Sequence, residues 1–254
     1  MSGEIERTYA VEIAKWDALA DVPTSDESLQ VIHPDFGAYS RQDSTMVGIA
    51  DFLGDLRDRE VLELGSGMGE MTTLLARSGA RVTALDISPG SLAMARRRAE
   101  LHGVDAAIDF VVAAGEQLPL ESDRFEVVVG KAVLHHLDVA RAAPELHRVL
   151  RPGGRAAFAE PLGTNPVIAF ARDHLPYPGK NPRGADVPLS YDDIRAWEAP
   201  FSSARHREVQ LLEMVERALG VRPMARLRRA DDWLLARFPG LGRLCRYVVL
   251  TMVK

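Results

Sequence analysis

The sequence predicts an α/β fold with a doubly wound, mostly parallel sheet, and three observations carry that prediction. Apolar segments of strand length alternate with amphipathic segments of helical spacing between residues 59 and 161, which indicates a parallel sheet covered on both faces. The first apolar segment runs into alternating glycines, Gly65, Gly67 and Gly69. The second ends in Asp86. A glycine turn and an acidic residue at neighbouring strand ends are typical of a pocket for a nucleotide-like ligand.

The elements follow from the spacing of the apolar residues. Strands are predicted at residues 60–64, 81–86, 108–112, 125–130 and 155–160, with helices at 70–79, 89–102 and 140–150. Ser88 is placed to cap the second of these helices. Alternating apolar residues predict two further strands at 204–212 and 247–253, separated by a helical insert at residues 213–246.

Two segments lie outside the strand–helix alternation. Residues 1–58 are predicted to form an N-terminal helical lid segment, and residues 59–254 the main domain. After the fifth strand, residues 162–200 break the alternation and include a stretch rich in Pro and Gly at 176–184. We therefore expect residues 162–200 to form a cap beside the edge of the sheet where a ligand would bind.

The spacing of the glycines distinguishes two classes of cofactor. A dinucleotide fingerprint requires glycine at its first, third and sixth positions, because the pyrophosphate rests on backbone amides there. Counted from Gly65, the sixth position is Glu70, whose carboxylate would repel a diphosphate; counted from Gly67, it is Thr72. The pattern favours a ligand without phosphates over a nicotinamide dinucleotide.

Several motifs in this order resemble the class I methyltransferases that use S-adenosylmethionine, in the small-molecule branch similar to ubiquinone and menaquinone methyltransferases. The motifs are ELGSGMG (63–69), LDIS (85–88), GEQLP (115–119), DRFEVVV (123–129), VLHHL (133–137) and VLRPGG (149–154). The resemblance implies a Rossmann-like methyltransferase fold with seven strands, the last of them antiparallel. It also implies S-adenosyl-L-methionine as the cofactor.

The resemblance carries a set of cofactor-binding residues onto this chain. They are Tyr39, Glu63, Gly65, Gly67, Asp86, Ile87, Ala114, Gly115, Glu116, Gln117 and Lys131. It implies that Asp86 binds the ribose hydroxyls and that Ile87 lies on the adenine face. Tyr39 begins a Tyr-Ser pair resembling the one with which some related carbon methyltransferases hold the cofactor's carboxylate. Relatives usually carry aspartate where this chain has Ala114, so either Glu116 or water and backbone would bind the adenine amino group.

Candidate catalytic residues are His136, Glu160 and His33. A general base is needed only if the acceptor must lose a proton, and a histidine suits that role near neutral pH. His136 follows the fourth predicted strand and Glu160 ends the fifth, at the edge where such sheets bind ligands. A structural role is the alternative for both residues. Candidate acceptor-binding residues in the cap are His174, Tyr177 and Tyr191.

Length, charge and cysteine content limit the classes of protein to which the chain can belong. The chain has 254 residues, a formal net charge of -5 and one cysteine, Cys245, which excludes an internal disulfide framework. The first residues are charged, and we find no apolar run of membrane-spanning length and no metal-ligand spacing. These features predict a cytoplasmic enzyme without a metal, a membrane span or a general attraction for nucleic acid. The sequence is compatible with a homo-oligomer.

Three function classes follow. The first is methyl transfer to O, N or C of a small-molecule acceptor, in secondary metabolism. The second is a macromolecule methyltransferase; relatives that methylate exocyclic amines or amide nitrogens carry an Asp/Asn-Pro-Pro-Tyr/Phe motif where this chain has residues 130–133, GKAV. The third is a nicotinamide oxidoreductase or a non-catalytic cofactor-binding protein, and Glu70 argues against the former.

Overall fold

A computed structural model of the chain describes residues 3–22, 24–174, 187–214 and 225–254. The strands are β1 (Glu60–Leu64), β2 (Arg81–Asp86), β3 (Ile108–Val112), β4 (Phe125–Lys131), β5 (Leu150–Pro161), β6 (Ser203–Val209) and β7 (Tyr247–Val253). They form one seven-stranded sheet in the order β3-β2-β1-β4-β5-β7-β6. Strands β1 to β5 pair in parallel, whereas β7 runs antiparallel to both β5 and β6. The predicted fold class is confirmed.

The helices pack on both faces of the sheet. They are α1 (Gly3–Ala20), α2 (Phe36–Gln42), α3 (Ile49–Leu53), α4 (Glu70–Arg77), α5 (Pro89–Leu101), α6 (Val139–Val149), α7 (Pro166–His174), α8 (Tyr191–Glu198) and α9 (Ala225–Arg237). Side chains of a strand alternate between the faces, so that Val61 belongs to one buried cluster and Leu62 to the other. Within the described ranges, none of the helices is long and apolar enough to cross a bilayer.

Helix α1 is held across the carboxyl edge of the sheet by one side chain. Asp17 Oδ1 accepts a hydrogen bond from Ser88 Oγ at 2.5 Å and another from the Gly90 backbone N–H at 3.0 Å. Ser88 also caps α5 as predicted, since its hydroxyl accepts from the Ser91 backbone N–H. The start of α5 therefore fixes where α1 lies.

The sixth strand is shorter than the predicted 204–212. Gln210 adopts a left-handed backbone conformation with φ of 64°. The backbone N–H groups of Leu211, Leu212 and Glu213 then donate to the carboxylate of Asp231 in α9, not to strand β7. A carboxylate brought from a distant helix ends the strand three residues early.

The predicted cap and insert are described in part. Residues 162–200 contain α7 and α8, while residues 175–186 lie outside the described residues. Residues 213–246 contain α9 and a short helical turn at Pro239–Leu244. The division of the chain into lid, cap and insert stays a prediction.

Candidate functional site

A cavity of about 260 Å³ lies at the carboxyl ends of β1, β2, β3 and β4, beneath α1. Its walls are largely apolar and also carry acidic and basic side chains. The lining residues are Tyr9, Glu12, Trp16, Leu64, Gly65, Gly67, Leu85, Asp86, Ile87, Ala113, Ala114, Gly115, Glu116, Lys131, Ala132, Val133, His136 and Leu137. A cavity that encloses its ligand on several sides in this way suits a molecule of the size of a cofactor.

The glycine turn between β1 and α4 forms the floor of the cavity. Gly65, Gly67 and Gly69 have φ angles of 70°, 51° and 79°, which favour glycine over any other residue. A Cβ on Gly69 would lie 2.6 Å from Ala95 Cβ in α5, whereas a Cβ on Gly67 would meet no atom within 4 Å. Gly69 therefore serves helix packing, and Gly67 leaves space beside the cavity for a ligand.

Asp86 ties the end of β2 to the glycine turn. Its Oδ2 accepts from the Gly67 backbone N–H at 2.8 Å, and its Oδ1 accepts from the Ser88 backbone N–H at 2.9 Å. Burial raises the pKa of Asp86, and the backbone donors of Ser88 and Gly67 oppose that rise. Each carboxylate oxygen keeps a second lone pair, so the side chain can still accept hydrogen bonds from a ligand's hydroxyl groups.

Glu63 lies under the glycine turn and outside the cavity lining. It is buried and accepts from Thr72 Oγ1 at 2.5 Å. Burial raises the pKa of Glu63 to about 8, although the Thr72 hydroxyl acts in the opposite direction. The side chain connects β1 to α4 and supports the turn from below.

Glu63→Gln is expected to change how stability depends on pH. The folded-state pKa of Glu63, about 8, lies above its ordinary value of 4.5, so its stabilising effect is present below pH 4.5 and is lost as the pH rises through 8. Glutamine keeps an acceptor for Thr72 and has no charge to bury. In urea titrations, the variant should gain stability over the wild type between pH 5 and pH 8, by at most about 1.4 kcal/mol per pH unit. An equal difference at the two pH values would contradict this role.

Lys131, at the end of β4, brings a positive charge to the cavity. Its Nζ donates to Asp43 Oδ2 at 2.6 Å and to Tyr39 Oη at 2.8 Å. Although burial alone would raise the pKa of Asp43, the Lys131 ammonium outweighs it and the pKa is lowered. Tyr39 thus positions Lys131 without lining the cavity itself, and the His33 ring, which does not line it either, lies 5.5 Å from the Tyr39 ring.

Glu160 anchors the loop after β4. The residue is fully buried, with 0% of its surface exposed. Its Oε1 accepts from the backbone N–H groups of Val133 and Leu134 at 2.9 and 3.0 Å, and His135 Nδ1 donates to Oε2 at 2.8 Å. Both carboxylate oxygens bind groups of this loop, and Glu160 does not line the cavity. The carboxylate therefore fixes the loop that carries His136.

His136 lies on the wall of the cavity. Its side chain lines the cavity, and its Nδ1 is 3.9 Å from Glu12 Oε1 in α1. The His135 and His136 rings are 4.0 Å apart. Of the three candidate catalytic residues, His136 is the one that the structure brings to the cavity wall.

The structure brings together most of the cofactor-binding residues predicted from sequence. Those that line the cavity are Gly65, Gly67, Asp86, Ile87, Ala114, Gly115, Glu116 and Lys131. Tyr39, Glu63 and the exposed Gln117 lie outside the lining as the structure describes it. Their roles, and those of the candidate catalytic residues, stay predictions.

Of the candidate acceptor-binding residues, His174 and Tyr191 do not line the described cavity. His174 Nδ1 is 3.0 Å from the Phe170 carbonyl oxygen, and the two rings stack at 4.4 Å. Tyr191 donates its hydroxyl to Glu208 Oε1 at 2.8 Å. Tyr177 lies outside the described residues. An acceptor-binding role for any of the three stays a prediction.

Sequence reasoning predicted a helical lid at residues 1–58 but missed the residues of α1 that line the cavity. Tyr9, Glu12 and Trp16 line it from above, and Trp16 Nε1 donates to Glu12 Oε2 at 2.9 Å. The three residues occupy positions i, i+3 and i+7 of the helix and so share one face. Two aromatic residues and a carboxylate at that spacing were the signal that could have identified them.

Asp17→Ala is expected to release α1 from α5, because the Ser88 hydroxyl and the Gly90 N–H would lose their acceptor. Amide hydrogens of residues 9–20 should exchange with solvent at least about tenfold faster, while those of β1 and β2 keep their protection. Asp21→Ala removes an exposed carboxylate at the end of the same helix and is the matched control. Unchanged exchange in α1 of Asp17→Ala would show that Asp17 does not hold the helix.

The part of the chain that carries most of the cavity lining is similar to a known protein family. A family described as "Methyltransferase domain" matches residues 62–158, which run from β1 into β5 and carry most of the cavity lining. This part of the chain is a methyltransferase domain. The family resemblance read from the sequence motifs is confirmed.

Two curated relatives of the methyltransferase domain are informative. A ubiquinone biosynthesis O-methyltransferase from Methylocella silvestris is 38% identical over 152 residues, covering 59% of this chain and 56% of the relative. A demethylmenaquinone methyltransferase from Chlorobaculum tepidum is 35% identical over 108 residues, covering 42% of each. The chain spans about half the length of the curated relatives it matches.

Among solved structures, the cyclase SpnF has the same fold. Its TM-score is 0.60 at 19% sequence identity, and the likeness covers 86% of this chain and 82% of SpnF. At that identity the likeness concerns the fold alone. The methyltransferase domain therefore shares its architecture with a protein named for a different reaction, and function must be argued from the site.

Proposed function

We propose that the chain transfers a methyl group from S-adenosyl-L-methionine to O, N or C of a small-molecule acceptor in secondary metabolism. The observation that carries the proposal is the position of the cavity. It opens at the carboxyl edge of the methyltransferase domain, on a glycine turn in which Gly67 leaves open space.

The residues at the cavity fit this cofactor better than a dinucleotide. Glu70 occupies the first turn of α4, directly after Gly69, where a pyrophosphate would need backbone amides and no negative charge. Asp86, which lines the cavity at the end of β2, offers acceptors for ribose hydroxyls. Lys131 offers a cation for the cofactor's carboxylate at the β4 end, and Ile87 and Ala113 form apolar walls for a neutral base at the β3 end.

Bound S-adenosylmethionine supplies a methyl group on a positively charged sulfur, which is already a strong electrophile. This chain's residues then have to position the two reactants and keep water away. Tyr9 and Trp16 cover the cavity from α1. His136, on the cavity wall, is placed to take a proton from an acceptor that must lose one, and Glu160 holds the loop that carries it.

The proposal is tested with S-adenosylmethionine labelled on its methyl group. The purified protein is incubated with catechols, hydroquinones, aliphatic amines and carbon acids, and in parallel with denatured protein and with RNA. Label in a small molecule supports the proposal. Label in protein or RNA alone would favour a macromolecule methyltransferase, and cofactor binding without any transfer would favour a non-catalytic cofactor-binding protein; either result overturns the proposal.

A further inference from the structure

Arg228 connects helix α9 to the end of helix α2. Its Nη1 donates to the Arg41 carbonyl oxygen at 2.9 Å, and its Nη2 donates to the Gln42 carbonyl oxygen at 3.0 Å. The last carbonyl groups of a helix have no N–H partner within that helix, and a planar guanidinium can bind two of them at once. Arg228 therefore fixes the carboxyl end of α2 from a segment that is 186 positions away in the chain.

A buried carboxylate holds Arg228 in place, and a second carboxylate holds the first. Arg228 Nε donates to Glu213 Oε1 at 3.1 Å, and only 4% of the Glu213 side chain is exposed. Asp231 follows Arg228 on the same side of α9 and is 3% exposed. Its Oδ2 accepts from the Glu213 backbone N–H at 3.2 Å. Arg228 thus has a fixed support that a solvated surface ion pair would not supply.

Asp43, the residue directly after α2, connects this end of the helix to Lys131. Its backbone N–H donates to the Tyr39 carbonyl oxygen at 2.9 Å, and its Oδ2 accepts from Lys131 Nζ at 2.6 Å. Lys131 Nζ also donates to Tyr39 Oη at 2.8 Å. An ammonium group has three N–H donors. With two of them bound to these described residues, the third is left for a ligand in the cavity that Lys131 lines.

A further contact holds the residue that follows Asp43. Gln210, directly after β6, donates from Nε2 to Ser44 Oγ at 2.7 Å. Arg228 and Gln210 therefore fix the residues on either side of Asp43. Without the Arg228 contacts the end of α2 would be able to shift. The hydrogen bond between Asp43 and Lys131 would then weaken, because its strength falls steeply as its length and angle depart from the ideal.

We propose that Arg228 is a positioning residue for the carboxylate of the cofactor, which it affects by fixing Asp43 and, through Asp43, the Lys131 ammonium. This inference rests on the proposed function, in which Lys131 binds that carboxylate. It gives the insert at residues 213–246 a part in cofactor binding, although none of its described residues lines the cavity. Because Arg228 acts through one charged group, its effect on binding should be confined to the ligand group that this charge contacts.

The test compares S-adenosylhomocysteine with decarboxylated S-adenosylhomocysteine, the same molecule without its carboxylate, in calorimetric titrations. The wild type should bind the carboxylate compound about 10- to 100-fold more tightly, as expected for a hydrogen bond between charged groups. Arg228→Gln should lose about three- to tenfold in affinity for the carboxylate compound and keep the wild-type affinity for the decarboxylated one. In protein that already carries Lys131→Gln, Arg228→Gln should change neither affinity by more than about twofold, because the group through which it acts is gone.

Arg229→Gln is the matched control, because it removes the same charge from the next, exposed position of α9. It should keep both wild-type affinities, and thermal unfolding checks that all variants fold. Should Arg228→Gln fail to fold because Glu213 has lost its cation, Arg228→Lys takes its place. Lysine keeps a cation beside Glu213 but lacks the planar fork, so the same selective loss is expected at about two- to fivefold.

Three results would overturn the inference and leave the proposed function standing. The first is equal affinity of the wild type for the two compounds, and the second is wild-type affinity of the Arg228 variant for S-adenosylhomocysteine. The third is a loss in the Arg228 variant that is equal for the two compounds or persists in full in the Lys131→Gln protein, since either would indicate a general structural role. No binding of either compound by the wild type would instead contradict the proposed function, and the inference with it.

Discussion

Gly69→Ala is expected to lower the free energy of unfolding by about 2–5 kcal/mol. Two effects add. The residue has a φ of 79°, a backbone conformation that is unfavourable for alanine. The added Cβ would also lie 2.7 Å from the Cα of Ala95, a backbone atom of α5 that no side-chain rotation can move. The glycine turn and α5 would have to separate. Chemical denaturation monitored by circular dichroism measures the loss.

Gly67→Ala is the matched comparison, because Gly67 has a positive φ of 51° but no atom within 4 Å of the added Cβ. Its cost in stability should be only about 1 kcal/mol. Its effect should fall on ligand binding, since the methyl group occupies the space left for a ligand. Equal stability of Gly69→Ala and Gly67→Ala would show that the turn does not pack closely against α5.

Glu160→Ala is expected to lower the free energy of unfolding by about 3–5 kcal/mol. The change leaves the N–H groups of the partly buried Val133 and the buried Leu134 without their acceptor, and it removes the carboxylate that His135 contacts. The loop after β4 should lose its fixed conformation, so methyl transfer should fall together with stability.

Glu198→Ala is the control for that prediction. Glu198 also accepts from a histidine, His206, at 2.8 Å, but this pair is partly exposed, with 17% and 33% of the two side chains accessible. A pair of this kind contributes about 1 kcal/mol or less. If Glu160→Ala kept the wild-type stability and lost only methyl transfer, Glu160 would act directly in catalysis and not as an anchor.

Local patterns were enough to predict the central part of the fold. The alternation from β1 to β5 and the turn at Gly65, Gly67 and Gly69 depend on neighbours in the chain, so the sequence reveals them directly. The same holds for Asp86, because its position at a strand end already places it at the edge of the sheet where ligands bind.

Contacts between distant segments account for what the sequence did not reveal. Asp17 meets Ser88 across 71 positions of the chain, so the prediction of a helical lid at residues 1–58 did not reveal this contact or the residues of α1 that line the cavity. The early end of β6 depends on Asp231 in the same way. The position of Glu160 at the rim was predictable, whereas the direction of its side chain depends on the loop that it anchors.

The most direct test of the central claim is a calorimetric titration of the purified wild-type protein with S-adenosylhomocysteine and, separately, with NAD. We predict saturable one-to-one binding of S-adenosylhomocysteine, weakened by about 1–3 kcal/mol in Asp86→Ala through the loss of hydrogen bonds to a charged acceptor, and no measurable binding of NAD. Tighter binding of NAD than of S-adenosylhomocysteine would contradict the account.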